Sequence, residues 1–173
     1  MSGGRNAKGK EAGPVGQGPA ERREVAAPSF DPEAVELLGA LEGAVHREEP
    51  LNGFKELFLG FDLGTTNLVL VALNEEGRPV SAVMESSRSS VRDGVIVDYM
   101  ASVEGMRRCL DRLERRLGRA GLSALGAAAF PPGVSEKTAK VCANVVEALG
   151  FDCAGLYEEP TGAAAALGLE DAA

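Results

Sequence analysis

Apolar positions change their spacing several times along this chain, and each change marks an element. Residues 1–28, MSGGRNAKGKEAGPVGQGPAERREVAAP, carry few apolar side chains. They read as a disordered tail, unable to bury enough surface to offset its conformational entropy. A helix is predicted next, within residues 29–50. Asp31 can cap it, Pro32 takes the first helical position, and Val35, Leu37, Leu38, Leu41 and Val45 form its apolar stripe. His46 falls in the last turn, where a cation suits the helix dipole, and reads as solvated.

From Leu57 the pattern shortens to strands. Leu57–Phe61 is an apolar run closed by Asp62. The turn Gly64-Thr65-Thr66-Asn67 leads into a second run, Leu68–Leu73. Asn74-Glu75-Glu76-Gly77 is turn chemistry, and Pro79–Met84 completes a three-strand meander. Arg88–Tyr99 reads as a loop with a short apolar patch, Val95-Ile96-Val97. Residues 100–118 form the clearest helix, with Val103, Met106, Leu110, Leu113 and Leu117 on one face and Gly118 and Gly121 beyond its end. Its other faces set Arg107, Arg108, Arg112, Arg115, Arg116 and Arg119 against Glu104, Asp111 and Glu114. A solvated face laced with ion pairs is expected there, with a basic docking surface as the alternative.

Leu125–Phe130 is a strand despite the low strand propensity of Ala127, Ala128 and Ala129, and Pro131-Pro132-Gly133 closes it. Ser135 caps a helix to Leu149, with Ala139, Cys142, Val145, Val146 and Leu149 facing inward. Phe151–Tyr157 is the fifth strand, and Glu158-Glu159-Pro160-Thr161 opens a last helix. The order is β-β-β-α-β-α-β-α, hairpins followed by crossovers, which predicts an α/β fold with a mixed sheet. That order is the one of the ribonuclease H-like fold and of each half of actin-like ATPases. Residues 57–173 are expected to form one such lobe.

Composition removes several functions. With 18 Lys+Arg against 26 Asp+Glu, the chain lacks the basic face that a duplex nucleic-acid binder needs. One histidine leaves little for a His-based metal site or a Ser-His-Asp relay. Cys109, Cys142 and Cys153 form no CxxC and are odd in number, which argues against a disulfide scaffold and for a reducing cytoplasm. No apolar run is long enough to span a membrane.

The chemistry concentrates in Asp62-Leu63-Gly64-Thr65-Thr66-Asn67. A carboxylate at a strand end suits Mg²⁺ or its waters, because this ion prefers oxygen ligands and keeps much of its hydration. Gly64 allows backbone amides to approach an anion closely, and the hydroxyls and amides of Thr65 and Thr66 can donate to phosphate oxygens. An ordinary β-turn would use the same residue types. Its place between two apolar strands, in this element order, favours phosphate binding.

FLGFDLGTTN resembles the first phosphate motif of the actin, heat-shock-70 and sugar-kinase superfamily. Glu158-Glu159-Pro160-Thr161-Gly162-Ala163-Ala164-Ala165-Ala166-Leu167-Gly168 resembles the EPTAAAL segment of heat-shock-70-type ATPases, where a crossing helix hinges two halves. Val91-Arg92-Asp93-Gly94-Val95-Ile96-Val97-Asp98-Tyr99 is similar to a stretch shared by rod-shape actin homologues and the EutJ family of ethanolamine utilization. With Phe130-Pro131-Pro132-Gly133 added, the set looks closest to the EutJ family, chaperone-like proteins encoded with bacterial microcompartment enzymes.

The resemblance implies ATP and Mg²⁺ as cofactors. It assigns Asp62 to Mg²⁺, Gly64, Thr65, Thr66 and Asn67 to the phosphates, and Glu159 to positioning the attacking water. It implies a microcompartment enzyme or shell protein as client, in the cytoplasm or at the compartment. The family also uses a D-x-G-G-G-T second phosphate loop and a Gly-rich adenosine site, and neither occurs in these residues. Arg88 and Arg92 are the nearest substitutes for the lysine that heat-shock-70 proteins set against the γ-phosphate. The expectation is therefore a half-site that binds nucleotide poorly and does not turn it over. A non-enzymatic module docking on microcompartment enzymes or shell is the alternative. Half of a sugar or acid kinase is disfavoured by the hinge segment and by the stretch from Arg92 to Tyr99.

Overall fold

The computed structural model describes residues 31–47, 53–87, 90–92 and 95–169. The expected tail over residues 1–28 lies outside them, as does Arg88. Strands β1 (Phe58–Leu63), β2 (Asn67–Leu73) and β3 (Pro79–Ser86) form the antiparallel meander that the turns predict. Two short strands, β4 (Val91–Arg92) and β5 (Val95–Ile96), pair antiparallel where a loop is expected, and Val91 is fully buried there. Strand β6 (Leu125–Phe130) runs parallel to β1, and β7 (Asp152–Glu158) runs parallel to β6. The main sheet is therefore mixed, in the order β3-β2-β1-β6-β7.

Alternation decides which face is buried. Leu59, Phe61 and Leu63 of β1 and Leu68, Leu70 and Ala72 of β2 are almost wholly enclosed. The register sets Phe61 opposite both Leu70 and Ala128, so inward residues of three strands meet at one level. Helix α2 (Tyr99–Leu117) packs over β2 and β3, and α3 (Glu136–Ala148) packs over β6 and β7. The stripe Val103, Met106, Leu110, Leu113 and Leu117 is buried as its spacing predicts, and so are Ala139, Cys142, Val145 and Val146 on α3. Gly105 seats α2 close on the sheet, because a Cβ there would come within 2.5 Å of Leu68 Cδ1.

The alanine strand holds because of where it lies. β6 is central, and small residues admit the core that packs against it. A Cβ at Gly126 would meet Val146 Cγ1 at 2.7 Å and Phe61 Cε2 at 3.1 Å. Propensity yields to packing there.

Two expectations change. Helix α1 (Pro32–His46) starts as predicted, with Asp31 Oδ1 accepting from the Glu33 amide at 3.0 Å. Its inner face is Ala34 and Ala44, with Leu37 and Leu41 half-buried, while Val35 and Leu38 are 55% and 51% exposed. The helix lies against β3, and its closest contacts fall on small residues rather than on the full aliphatic stripe. The second change concerns the arginines of α2. Among the described residues they form no ion pair within the helix. They reach backbone carbonyls instead: Arg107 that of Ala148, Arg112 that of Met84, Arg116 those of Val45 and Ala82, and Arg119 that of Phe54. A guanidinium has five donors and a long stem, so it can satisfy carbonyls that neighbouring elements leave open. The last helix, α4 (Glu159–Ala166), follows β7 directly and buries none of its residues.

Candidate functional site

The parallel strands β1, β6 and β7 end at the same rim of the sheet. Asp62 pairs in register with Ala129, and Ala129 with Tyr157, so the rim carries Asp62 on one side and Glu158-Glu159 on the other. One strand separates them, about 10 Å at ordinary strand spacing. Beside them Gly60, Ala127 and Ala129, with the larger Val69, Val71 and Tyr157 and with Gly162 of α4, line a cleft of about 280 Å³ that Asp62 also lines.

The turn joining β1 to β2 is tightly closed. A Cβ at Gly64 would lie 2.8 Å from the Asn67 carbonyl oxygen, a backbone atom that cannot swing aside. Thr65, Thr66 and Asn67 are exposed along the turn. Its carbonyls are engaged from behind. The Ser87 amide donates to the Thr66 carbonyl at 3.0 Å, and the Ser87 hydroxyl donates to that of Thr65. Ser90 in turn donates through amide and hydroxyl to the Ser87 carbonyl, at 2.9 and 2.7 Å, and the amides of Val97 and Asp98 close on the Ser90 carbonyl. Both serines are buried. Two acceptors that would repel an anion are thereby taken up within the protein.

Electrostatics tie the two carboxylates together. Burial pushes the Asp62 carboxyl above its ordinary range. Glu159 is raised first by burial and then by the negative charge of Asp62. Each anion is thus held at a disadvantage that a cation between them would relieve. Among the described residues no group of three or more acidic, histidine or cysteine side chains comes together here that could hold a metal ion without further ligands, so a cation at Asp62 would take its remaining oxygens from water or a phosphate.

All the candidate residues named from the sequence, Asp62, Gly64, Thr65, Thr66, Asn67 and Glu159, fall on this one rim. Arg92 lies in β4, exposed and paired with Val95. Sequence reasoning missed Ser87 and Ser90, which brace the turn. The signal was present in the serine cluster Ser86-Ser87-Arg88-Ser89-Ser90, but hydroxyls in a stretch read as loop carry no mark of burial.

Ethanolamine utilization protein EutJ of Escherichia coli (strain K12) is 36% identical over 116 residues, 67% of this chain and 40% of that protein. EutJ of Salmonella typhimurium is 33% identical over 129 residues, 75% of this chain and 44% of that protein. The crystal structure of EutJ from Carboxydothermus hydrogenoformans matches with a TM-score of 0.69 at 35% identity, over 79% of this chain and 50% of that one. No protein-family model matches the chain. It spans about half or less of the length of the relatives it matches. Alike in sequence and in fold over most of its own length, the chain belongs to the EutJ family.

Proposed function

We propose that this chain is the N-terminal, phosphate-gripping lobe of a EutJ-like nucleotide-binding protein. The whole protein serves ethanolamine utilization as a chaperone or reactivating factor, and its client is an enzyme or shell protein of a bacterial microcompartment in the cytoplasm. The observation that supports the nucleotide reading is the shared rim: Asp62 and the glycine-closed turn, braced by Ser87, stand at the end of β1, Glu159 follows the end of β7 one strand away, and the cleft that Asp62 lines lies beside them.

The roles follow from chemistry. Asp62 would hold Mg²⁺ or its waters, and the amides and hydroxyls of Gly64, Thr65, Thr66 and Asn67 would meet phosphate oxygens. Bound Mg²⁺ would supply charge neutralisation for phosphoryl transfer. Glu159 stands in the first turn of α4, where it would orient a water near that phosphate. One lobe offers no opposite wall, so binding is screened by solvent and the isolated lobe is inactive.

A titration with fluorescent ATP, with and without Mg²⁺, tests this. Weak, Mg²⁺-dependent binding that disappears in Asp62→Ala is expected. Binding indifferent to that substitution would remove the reading. A second reading, a non-enzymatic docking module, draws on α4, which buries none of its residues, and on Leu125 and Tyr157 standing out on the sheet. It predicts client binding by Asp62→Ala at parental strength.

A further inference from the structure

Strand β3 is an edge of the main sheet, and three of its carbonyls in alternate positions are each held by an arginine. Arg47 Nη1 donates to the Val80 carbonyl at 3.0 Å, Arg116 Nη1 to that of Ala82, and Arg112 Nη1 to that of Met84 at 3.2 Å. In an antiparallel ladder alternate residues turn their amide groups away from the neighbouring strand. Val80, Ala82 and Met84 are that outward set. The donors come from two elements: Arg47 is the residue after α1, while Arg112 and Arg116 lie one turn apart on α2. Arg116 also donates to the Val45 carbonyl at 3.1 Å, which bolts the end of α1 to the strand.

We propose that α1 and these three arginines guard a strand-pairing surface, and that the occupant they exclude is β3 of a second copy. The strand is complementary to itself. In an antiparallel pair centred on Ala82, Val80 faces Met84 and Ala82 faces Ala82, so each outward amide group meets a counterpart. Residues 79–84 (PVSAVM) carry no charge to keep two copies apart. The charges that flank this stretch are both already paired, Arg78 with Glu36 of α1 at 2.7 Å and Glu85 with Arg112 at 2.6 Å. The guard is held more by these polar ties, the Arg78–Glu36 pair included, than by a deep apolar face: α1 fully buries only Ala34 and Ala44 and leaves Val35 and Leu38 in solvent. Lifting α1 exposes an uncharged edge with two-fold symmetry of its own.

The test uses the full chain carrying Arg47→Gln and Arg116→Gln, compared with the parent by sedimentation velocity across a wide concentration range. A concentration-dependent dimer absent from the parent is expected. Adding Met84→Pro, which removes an outward N–H without touching the internal ladder, should abolish it. A folded double variant with the parent's mass overturns the proposal, and so does an assembly that survives Met84→Pro. Should the double variant fail to fold, Arg47→Gln alone is followed by amide hydrogen exchange. Several-fold faster exchange at Val80, Ala82 and Met84, with β2 unchanged, is expected, and exchange equal to the parent's overturns the proposal.

Discussion

Gly64 and the two carboxylates carry the account at the scale of single residues. Gly64→Ala forces a Cβ to within 2.8 Å of the Asn67 carbonyl, and the backbone must shift to relieve it. A loss of about 1–3 kcal/mol is expected by chemical denaturation, as for other overpacked sites, together with loss of Mg²⁺-dependent nucleotide binding. Asp62 and Glu159 act in the opposite direction on stability. Both have folded-state pKa values above their ordinary ones. Their contribution is favourable below the unfolded carboxylate range and is lost as pH rises through the folded value. At neutral pH both therefore weaken the fold. Asp62→Asn should raise Tm at pH 7, Glu159→Gln should raise it less because that side chain is exposed, and each should flatten the gain expected of the parent on mild acidification. A lower Tm in both variants, measured by calorimetry, would mean that these carboxylates support the fold.

Elements explain why the turn keeps its shape. The end of β3 feeds Ser87 and Ser90 behind the β1–β2 connection, so the turn is built by two separated stretches of chain. Ser87→Ala keeps the amide bond to Thr66 and loses the hydroxyl bond to Thr65, for which about 1 kcal/mol of destabilisation is expected by urea titration. Nucleotide affinity should fall with it, because the Thr65 carbonyl is freed. Met106→Ala acts far from the turn, in the fully buried stripe of α2, and should cost about 2–5 kcal/mol without a specific effect on binding. The stripe of α2, the meander and the crossovers were legible in the sequence because one-sided burial imposes a period. That Asp62 and Gly64 share an end of the sheet was legible too, since only Leu63 separates them in the chain, and the place of Glu159 followed from the predicted strand Phe151–Tyr157. The inner face of α1 was not, because Ala34 and Ala44 carry little hydrophobic signal beside Val35 and Leu38. Nor were the arginine clasps: their partners are carbonyls, which every residue has, so no spacing of charges announces them.

Over the whole molecule, the two faces of the sheet are unequal. One is closed by α2 and α3, while the other presents the cleft that Asp62 lines, with Leu125 and Tyr157 about half exposed and no residue of α4 fully buried. That asymmetry accords with a lobe that meets something further at the rim, and it argues for no measurable ATP turnover by this chain alone. Turnover lost in Asp62→Ala would show the half-site to be sufficient. The most direct measurement is amide chemical-shift mapping during titration with Mg²⁺–ADP. Changes concentrated at Gly64, Thr65, Thr66 and Asn67, extending to Ser87 and Glu159 and absent with Gly64→Ala, are what the account predicts. A saturable pattern elsewhere on the surface, with those amides unmoved, would contradict it.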